Sequence, residues 1–318
     1  NKYILSVGDT IEYADNLGHI GTIYVLEKDF DNAIENYEKA LDLYIQINDS
    51  SKIGEISDKI GDCFYVWLRD PSVDWDDNMD QAAKYYEQAY NYGYWQNNDD
   101  ISELLEEIGI IAMSYINQMN MDLDKTLYWA DIGFQLATDK EAYGERAMFC
   151  LLVGAPLIGI DPGNSLVYIE ETIDYLEKNP DNEFDVNGST SLACYIYLSM
   201  AYVLIGDFSS FEEINYKGFE FVNKKNINTP QADYIRGVFF QNNKEFDLSN
   251  EYFNKVVKNT KKNNSWYTLV PLSAVQISYN YFLNRQFNEA YENSLKALDI
   301  SYKSKNQTGI IQSYLFLY

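Results

Sequence analysis

Residues 14–47 read ADNLGHIGTIYVLEKDFDNAIENYEKALDLYIQI, and this stretch decides the fold of the chain. The face of a first helix is marked by spacings of three and four residues among Leu17, Ile20, Gly21 and Tyr24. After a short polar turn, a second helix shows the same spacings at Ala33, Tyr37, Ala40 and Leu41. Small residues let two helices approach closely, and tyrosines fill the gaps beside them. The stretch therefore predicts a closely packed pair of helices.

The same pattern returns along the chain at a regular interval. Gly21 and Gly61 are 40 residues apart, Ser199 and Gly237 are 38 apart, and Gly237 and Ser278 are 41 apart. A chain of 318 residues exceeds one typical domain, but a repeat array of that length needs no division. We therefore expect an all-α protein of about seven helix pairs.

The order of residues in 14–47 resembles the tetratricopeptide repeat (TPR), whose pattern is W-x2-L-G-x2-Y followed by A-x3-F and a further Ala. The matching positions here are Leu17, Ile20, Gly21, Tyr24, Ala33, Tyr37 and Ala40. The long repeat interval is similar to that of bacterial peptide-sensing regulators, kinesin light chains and TPR-containing signalling proteins. The resemblance implies a right-handed TPR superhelix, an α-solenoid of helix-turn-helix repeats.

We expect three segments in this array: an acidic N-terminal array with irregular loops (1–178), a polar connector (179–189) and a C-terminal array truncated in its last helix (190–318). An acidic loop is predicted between Arg69 and Asp80, and the repeats over 101–178 are the weakest matches. Both ends resemble interrupted repeats, so we expect the segment to be part of a longer polypeptide.

The composition is acidic, and the acidity is uneven. The net charge is −25, of which residues 1–160 contribute −20 and residues 161–318 contribute −5. Such a surface repels phosphate backbones, so we expect no direct binding to nucleic acid by this segment. Cationic or amphipathic peptides and basic protein faces suit it better. The 29 tyrosines are the usual large side chains at repeat positions and need no separate explanation.

Cysteine content and hydropathy bear on the compartment. Cys63, Cys150 and Cys194 are odd in number and far apart, which is typical of buried core residues. They are compatible with a reducing cytoplasm and do not exclude an exported sensor region. The longest uncharged run, Thr190–Gly206, is shorter than a typical membrane span. We therefore expect no membrane insertion by this segment.

Three motifs could carry chemistry, and each has a simpler explanation. His19 is the only histidine and lies on the first predicted helix. Gly154–Gly159 has the glycine spacing of a phosphate loop but lacks the lysine, with Ile160 in its place. Asp74, Asp76, Asn78 and Asp80 alternate as in a calcium loop, without its glycine and glutamate. We expect no catalytic site, no cofactor and no metal.

The resemblance implies that the first helix of each pair lines a concave groove. Counted along this sequence, the groove positions are Asp15, Thr22, Glu55, Asp58, Asp62, Tyr65, Glu103, Glu106, Tyr234, Gln241, Asn242, Tyr279 and Phe282. Family members that bind a C-terminal carboxylate use Lys, Arg and Asn at these positions. This chain has no basic residue there. The groove is acidic at its N-terminal half and polar and aromatic at its C-terminal half. Alternatively, its carboxylates only keep a helix face soluble.

The sequence thus favours a non-catalytic module that binds a protein or peptide, as the sensory or regulatory segment of a larger bacterial signalling or transcription-regulating protein. One alternative is a structural scaffold or homo-oligomerisation module that acts through its convex face or its missing ends. Another is that a neighbouring domain supplies the activity and this segment controls it. A basic group, Lys255, Lys258, Lys261 and Lys262, is predicted on a second helix as a solvated ridge or a contact for an acidic patch.

Overall fold

The computed structural model describes residues 7–67, 75–97, 100–117, 122–182, 184–261, 267–304, 306–315 and 317. Within these ranges the chain forms fifteen α-helices, two short 3₁₀ helices at Tyr94–Asn97 and Val186–Gly188, and no strand. The α-helices are α1 Val7–Leu26, α2 Phe30–Ile47, α3 Ser50–Trp67, α4 Trp75–Asn91, α5 Ile101–Asn117, α6 Leu123–Asp139, α7 Tyr143–Leu157, α8 Pro162–Lys178, α9 Ser189–Ile205, α10 Phe208–Lys224, α11 Pro230–Asn242, α12 Phe246–Asn259, α13 Leu269–Leu283, α14 Phe287–Lys303 and α15 Gln307–Leu315. The predicted all-α helical-repeat fold is confirmed.

The chain separates into two compact units, Asn1–Pro156 and Leu157–Tyr318. The first unit contains the pairs α1/α2, α3/α4 and α5/α6, and the second contains α9/α10, α11/α12 and α13/α14. The segment boundaries expected from the sequence, at 178 and 190, stay a prediction.

In two pairs of the first unit, α1/α2 and α3/α4, the first helix presents a glycine to an aromatic ring of the second. A Cβ atom built on Gly21 would lie 2.6 Å from the Tyr37 ring, and one on Gly61 would lie 2.6 Å from the Tyr86 ring. Any side chain larger than hydrogen would push these helices apart, because interiors are packed at crystal-like density. The predicted pairing of small and large residues is therefore confirmed in α1/α2 and α3/α4.

The second unit repeats the same contact. A Cβ on Gly237 of α11 would lie 2.6 Å from the Phe253 ring of α12. The Ser249 hydroxyl donates to the Gly237 carbonyl at 2.8 Å, so the close approach also satisfies a buried polar group.

The α5/α6 pair is built differently, which explains its weak sequence match. Gly109 of α5 has no atom within 4 Å of the position a Cβ would take. Close contact instead occurs at Gly133 of α6, where a Cβ would lie 2.2 Å from the Phe149 ring of α7. Both helices nevertheless form within the segment 101–178, where the sequence matches the repeat pattern only weakly.

Four of the turns between first and second helices share one design. The residue before the N-cap has positive φ in each: Lys28 (61°), Gly206 (78°), Lys244 (61°) and Arg285 (59°). A phenylalanine begins the following helix each time, at Phe30, Phe208, Phe246 and Phe287. In two of the turns an aspartate caps that helix: the side chains of Asp29 and Asp207 accept from the backbone N–H groups of Asn32 and Ser210. The repeat therefore includes its turn as well as its helices.

One predicted loop is shorter than the sequence suggested. The acidic loop was expected to extend to Asp80, but α4 begins at Trp75, so Asp76, Asn78 and Asp80 lie on a helix. Alternate residues on a helix point in different directions and do not converge like those of a calcium loop. Asp74 and the rest of the segment 68–74 lie outside the described residues, as does Lys262.

Two prolines and the three cysteines occupy positions that suit their chemistry. Pro230 occupies the first turn of α11, and Pro271 occupies the first turn of α13, where a missing N–H costs little. Cys63, Cys150 and Cys194 are buried free thiols.

Candidate functional site

Carboxylates from two successive first helices meet in the first unit. Asp58 and Asp62 lie on one face of α3, and Glu103 and Glu106 lie on the start of α5. The hydroxyl of Tyr65 on α3 donates a hydrogen bond to Glu106, which links the two helices directly. We call Asp58, Asp62, Glu103 and Glu106 the acidic face.

The charges of the acidic face act on one another. Burial raises the pKa of Asp62, and the negative charges of Glu103 and Glu106 raise it further. A hydrogen bond from the Tyr86 hydroxyl at 2.9 Å and the charge of Lys59 oppose this shift without cancelling it. The face therefore holds more negative charge than its surroundings compensate.

Lysines form ion pairs with Glu55, the carboxylate that neighbours the acidic face. Lys52 Nζ lies 3.1 Å from Glu55 Oε2, and Lys59 Nζ lies 2.8 Å from Glu55 Oε1. Burial alone would raise the pKa of Glu55, but these two ammonium groups outweigh it and hold the pKa below its usual value. Within the described ranges, neither Asp62 nor Glu106 has a lysine or arginine within ion-pair distance.

Asp58 is the buried member of the acidic face. Its side chain is only 3% exposed and lies beside that of Glu107 on α5, which is 2% exposed. Tyr94 of the 3₁₀ helix shares a hydrogen bond with Asp58. Asp58 therefore contributes to the electrostatics of the face without offering a surface that a large ligand can contact.

Asp15 and Thr22, the two predicted groove residues of α1, are already engaged within the α1/α2 pair. The Tyr44 hydroxyl donates to Asp15 Oδ1 at 2.6 Å, and Lys52 Nζ lies 3.6 Å from the same oxygen. The Thr22 hydroxyl lies 3.0 Å from the Tyr37 hydroxyl. The contacts with Tyr44 and Tyr37 stabilise the α1/α2 pair. The acidic face therefore consists of residues from α3 and α5.

The predicted groove residues of the second unit divide between core and surface. Tyr234 is 9% exposed and packs edge-on against Phe253, so it belongs to the core of α11/α12. Asn242, Tyr279 and Phe282 are exposed, and the Phe282 ring contacts that of Phe287 with centroids 5.8 Å apart.

Gln241 belongs to a buried polar network that also includes residues the sequence did not suggest. Its side-chain amide donates to Gln276 Oε1 at 3.0 Å and to Asn280 Oδ1 at 2.7 Å. The Asn280 amide donates in turn to Ser249 and Asn250, each at 2.8 Å. The network joins α11, α12 and α13 and fixes the orientation of their facing side chains.

Sequence reasoning missed Glu107, Tyr94, Gln276 and Asn280. The sequence does contain a signal for three of them, namely polar residues at a spacing of four. Glu103 and Glu107 are four residues apart, as are Gln276 and Asn280, so each pair shares one helix face. Polar residues that repeat on one face of a first helix are therefore the informative signal. The adjacent pair Glu106 and Glu107 is not, because such pairs are common in so acidic a chain.

His19 and the glycine-rich segment Gly154–Gly159 have ordinary positions in the structure. His19 is exposed on α1, and Gly154–Gly159 spans the C-terminal end of α7 instead of a strand-to-helix turn. In the part of the chain that is described, no group of three His, Cys, Asp or Glu side chains has a metal-holding arrangement. None of the described helices combines the length and hydrophobicity of a membrane span.

Comparisons with known proteins agree with this architecture. The family model described as tetratricopeptide repeat matches residues 14–44, and no curated protein sequence matches the chain significantly. Residues 14–44 are therefore a tetratricopeptide repeat, and the TPR resemblance deduced from residues 14–47 is confirmed.

Solved structures extend the likeness beyond that repeat. Aspartyl phosphate phosphatase F from Bacillus subtilis matches with a TM-score of 0.55 and 13% sequence identity, over 95% of this chain and 72% of that one. A Rap protein in complex with competence and sporulation factor matches with a TM-score of 0.48 and 12% identity, over 96% of this chain and 97% of that one. The first likeness, at such low identity, shows a shared helical-repeat fold.

Proposed function

We propose that this chain is a non-catalytic module that binds a cationic or amphipathic peptide, or a basic protein segment, through the acidic face of α3 and α5. One observation carries the proposal: carboxylates from two successive first helices act on one another, and among the described residues neither Asp62 nor Glu106 forms an ion pair with the lysines that neutralise Glu55. A cationic ligand would relieve the mutual repulsion that raises the pKa of Asp62. Selectivity would come from this charge, and affinity from aromatic contacts.

We also propose that the module is the sensory or regulatory segment of a larger bacterial protein. The repeat interval of 38 to 41 residues supports this assignment, because peptide-sensing regulators have similarly lengthened repeats. The helical-repeat scaffold is of a generally non-catalytic kind.

The test uses the exposed members of the acidic face. Glu103→Gln/Glu106→Gln removes two charges without placing a new group in the core, whereas a lysine at Asp58 would be buried and would threaten the fold. Binding is measured by fluorescence anisotropy with labelled peptides of equal length and graded net charge, from acidic to lysine-rich. We expect the double variant to bind the lysine-rich peptide about fivefold to tenfold more weakly, since each exposed ion pair contributes about 0.2–1 kcal/mol.

The matched control is Asp131→Asn/Asp139→Asn, which removes two exposed carboxylates from α6 in the same unit. It should leave the affinity nearly unchanged, and raising the salt concentration should weaken wild-type binding more than that of the double variant. Equal losses in both variants would mean that only the net charge matters. Equal binding of acidic and basic peptides would also contradict the proposal.

A second candidate function is self-association through the second unit. Val203, Leu204 and Ile205 at the end of α9 are exposed, and Phe208 at the start of α10 is 63% exposed. These four exposed apolar side chains around one turn form an apolar patch. Such patches mark association surfaces. Sedimentation of the wild type and of Leu204→Ser/Phe208→Ser tests this candidate: we expect a concentration-dependent dimer that the double variant abolishes. A wild type that stays monomeric would exclude it.

A further inference from the structure

The space between α3 and α5 contains two buried carboxyl groups that face each other. Asp58 of α3 and Glu107 of α5 are both almost fully buried, at 3% and 2% exposure. Among the described residues, neither oxygen of Glu107 has a hydrogen-bond donor, and Oδ1 of Asp58 has none. Buried carboxylates without donors are rare, because leaving an ionised group unpaired in the interior is costly.

Among the described residues, the groups that act most strongly on this pair supply no positive charge. They are Asp62 on α3, Tyr86 on α4, Tyr94 in the 3₁₀ helix and Glu103 on α5. The tyrosines are neutral donors, and the other two groups are acids. One cation, Lys59, acts on Asp62 of this cluster.

Two carboxyl groups can hydrogen-bond to each other only when one of them carries a proton, since ionised carboxylates are acceptors only. Asp58 and Glu107 are within hydrogen-bonding reach of each other. A shared proton would satisfy both groups and remove one of two charges from the interior. The same arrangement occurs wherever two carboxylates share a site and cannot both ionise.

We propose that Asp58 and Glu107 share one proton and form a proton-dependent link between α3 and α5. While the proton is present, the pair is a hydrogen bond between successive helix pairs. When it is lost, two negative charges face each other in the same buried space, and α5 is driven away from α3. The inference does not depend on the proposed function.

The direction of the pH effect follows from burial. Burial is the largest cause that raises the pKa of Asp58 and of Glu107, and the charge of Asp62 raises both. The charge of Asp58 also raises the pKa of Glu107, whereas the hydrogen bond with Glu107 lowers that of Asp58 without cancelling its rise. The folded unit therefore binds more protons than the unfolded chain in the pH range between the ordinary carboxyl pKa of about 4 and the raised pKa values of the pair. Stability is greatest in acid and falls as the pH rises toward the raised pKa of the pair.

Glu107→Gln tests the link, because glutamine is a neutral side chain of the same shape whose amide donates to Asp58. Unfolding is followed by tryptophan fluorescence, which reports on the first unit because Trp67, Trp75, Trp95 and Trp129 lie there and only Trp266 lies in the second. We expect the variant to unfold at a higher temperature than wild type at about pH 9, by at least about 2 °C, and the difference to shrink toward about pH 5.

The matched control is Asp131→Asn, which removes one exposed carboxylate from α6 in the same unit. It should leave the pH dependence of unfolding close to that of wild type. Hydrogen exchange at about pH 8 should be slower in the peptide covering α5 of Glu107→Gln than in the same peptide of wild type. A wild type and a Glu107→Gln variant with the same pH dependence would overturn the proposal.

Infrared spectroscopy gives an independent readout that needs no stability change. A protonated carboxyl has a carbonyl stretch separate from that of ionised carboxylates. Wild type should retain this band at neutral pH, and Glu107→Gln should lose intensity in it, whereas Asp131→Asn should not. Absence of the band from wild type at neutral pH would show that the pair is fully ionised and would refute the shared proton.

Discussion

Tyr86→Ala should destabilise the first unit by about 3–5 kcal/mol, as expected for removing a fully buried aromatic ring. Tyr86 is 1% exposed and packs against Gly61, whose missing side chain makes room for the ring. Removing the ring leaves a cavity between α3 and α4 that Gly61 cannot fill. Urea unfolding followed by tryptophan fluorescence measures the loss, because four of the five tryptophans lie in this unit.

Tyr86→Phe separates packing from hydrogen bonding. It keeps the ring but removes the hydroxyl that donates to Asp62 at 2.9 Å. We expect a loss of about 1–3 kcal/mol, typical of a hydrogen bond to a charged group. If the alanine variant were as stable as the phenylalanine variant, packing of the Tyr86 ring between α3 and α4 would not contribute to stability.

Two glycine substitutions should have opposite signs. Gly61→Ala should cost about 1–3 kcal/mol, because its Cβ would lie 2.6 Å from the Tyr86 ring and overpack the pair. Gly109→Ala should stabilise the same unit by about 1 kcal/mol, because it improves helix propensity where no atom lies within 4 Å. The unfolding free energies of the two variants should thus differ by about 2–4 kcal/mol.

The two variants control for each other. Both replace a glycine on a first helix of the first unit, so any general effect of alanine on the helix is common to them. Urea titrations of both variants against wild type measure the difference. Equal effects of the two substitutions would show that the close approach at Gly61 relaxes without cost, and that the repeat glycine is not required for helix packing.

Local pattern was enough to predict the helices and their pairing. The spacings in residues 14–47 predicted α1 and α2 and the contact of Gly21 with Tyr37, because helix periodicity and the match of small to large residues are visible in a single repeat. Repetition of the pattern then predicted the number and type of the other pairs.

The candidate site depended more on tertiary structure. Position counting selected Tyr234 as a groove residue, but its side chain lies against Phe253, because a rotation of a fraction of a helical turn moves a residue from surface to core. The same counting omitted Glu107. Its pairing with Asp58 joins residues 49 positions apart, and no local rule links them.

The sequence by itself thus determined what short-range physics controls: the helices, the glycine contacts within a pair and the strongly acidic character of the N-terminal half. Only the tertiary structure decided which acids are neutralised, as Glu55 is by Lys52 and Lys59, and which are buried together, as Asp58 and Glu107 are. The reason is physical. Periodicity is a property of one helix, whereas the energy of a charge depends on every group around it, including groups brought in from distant parts of the chain.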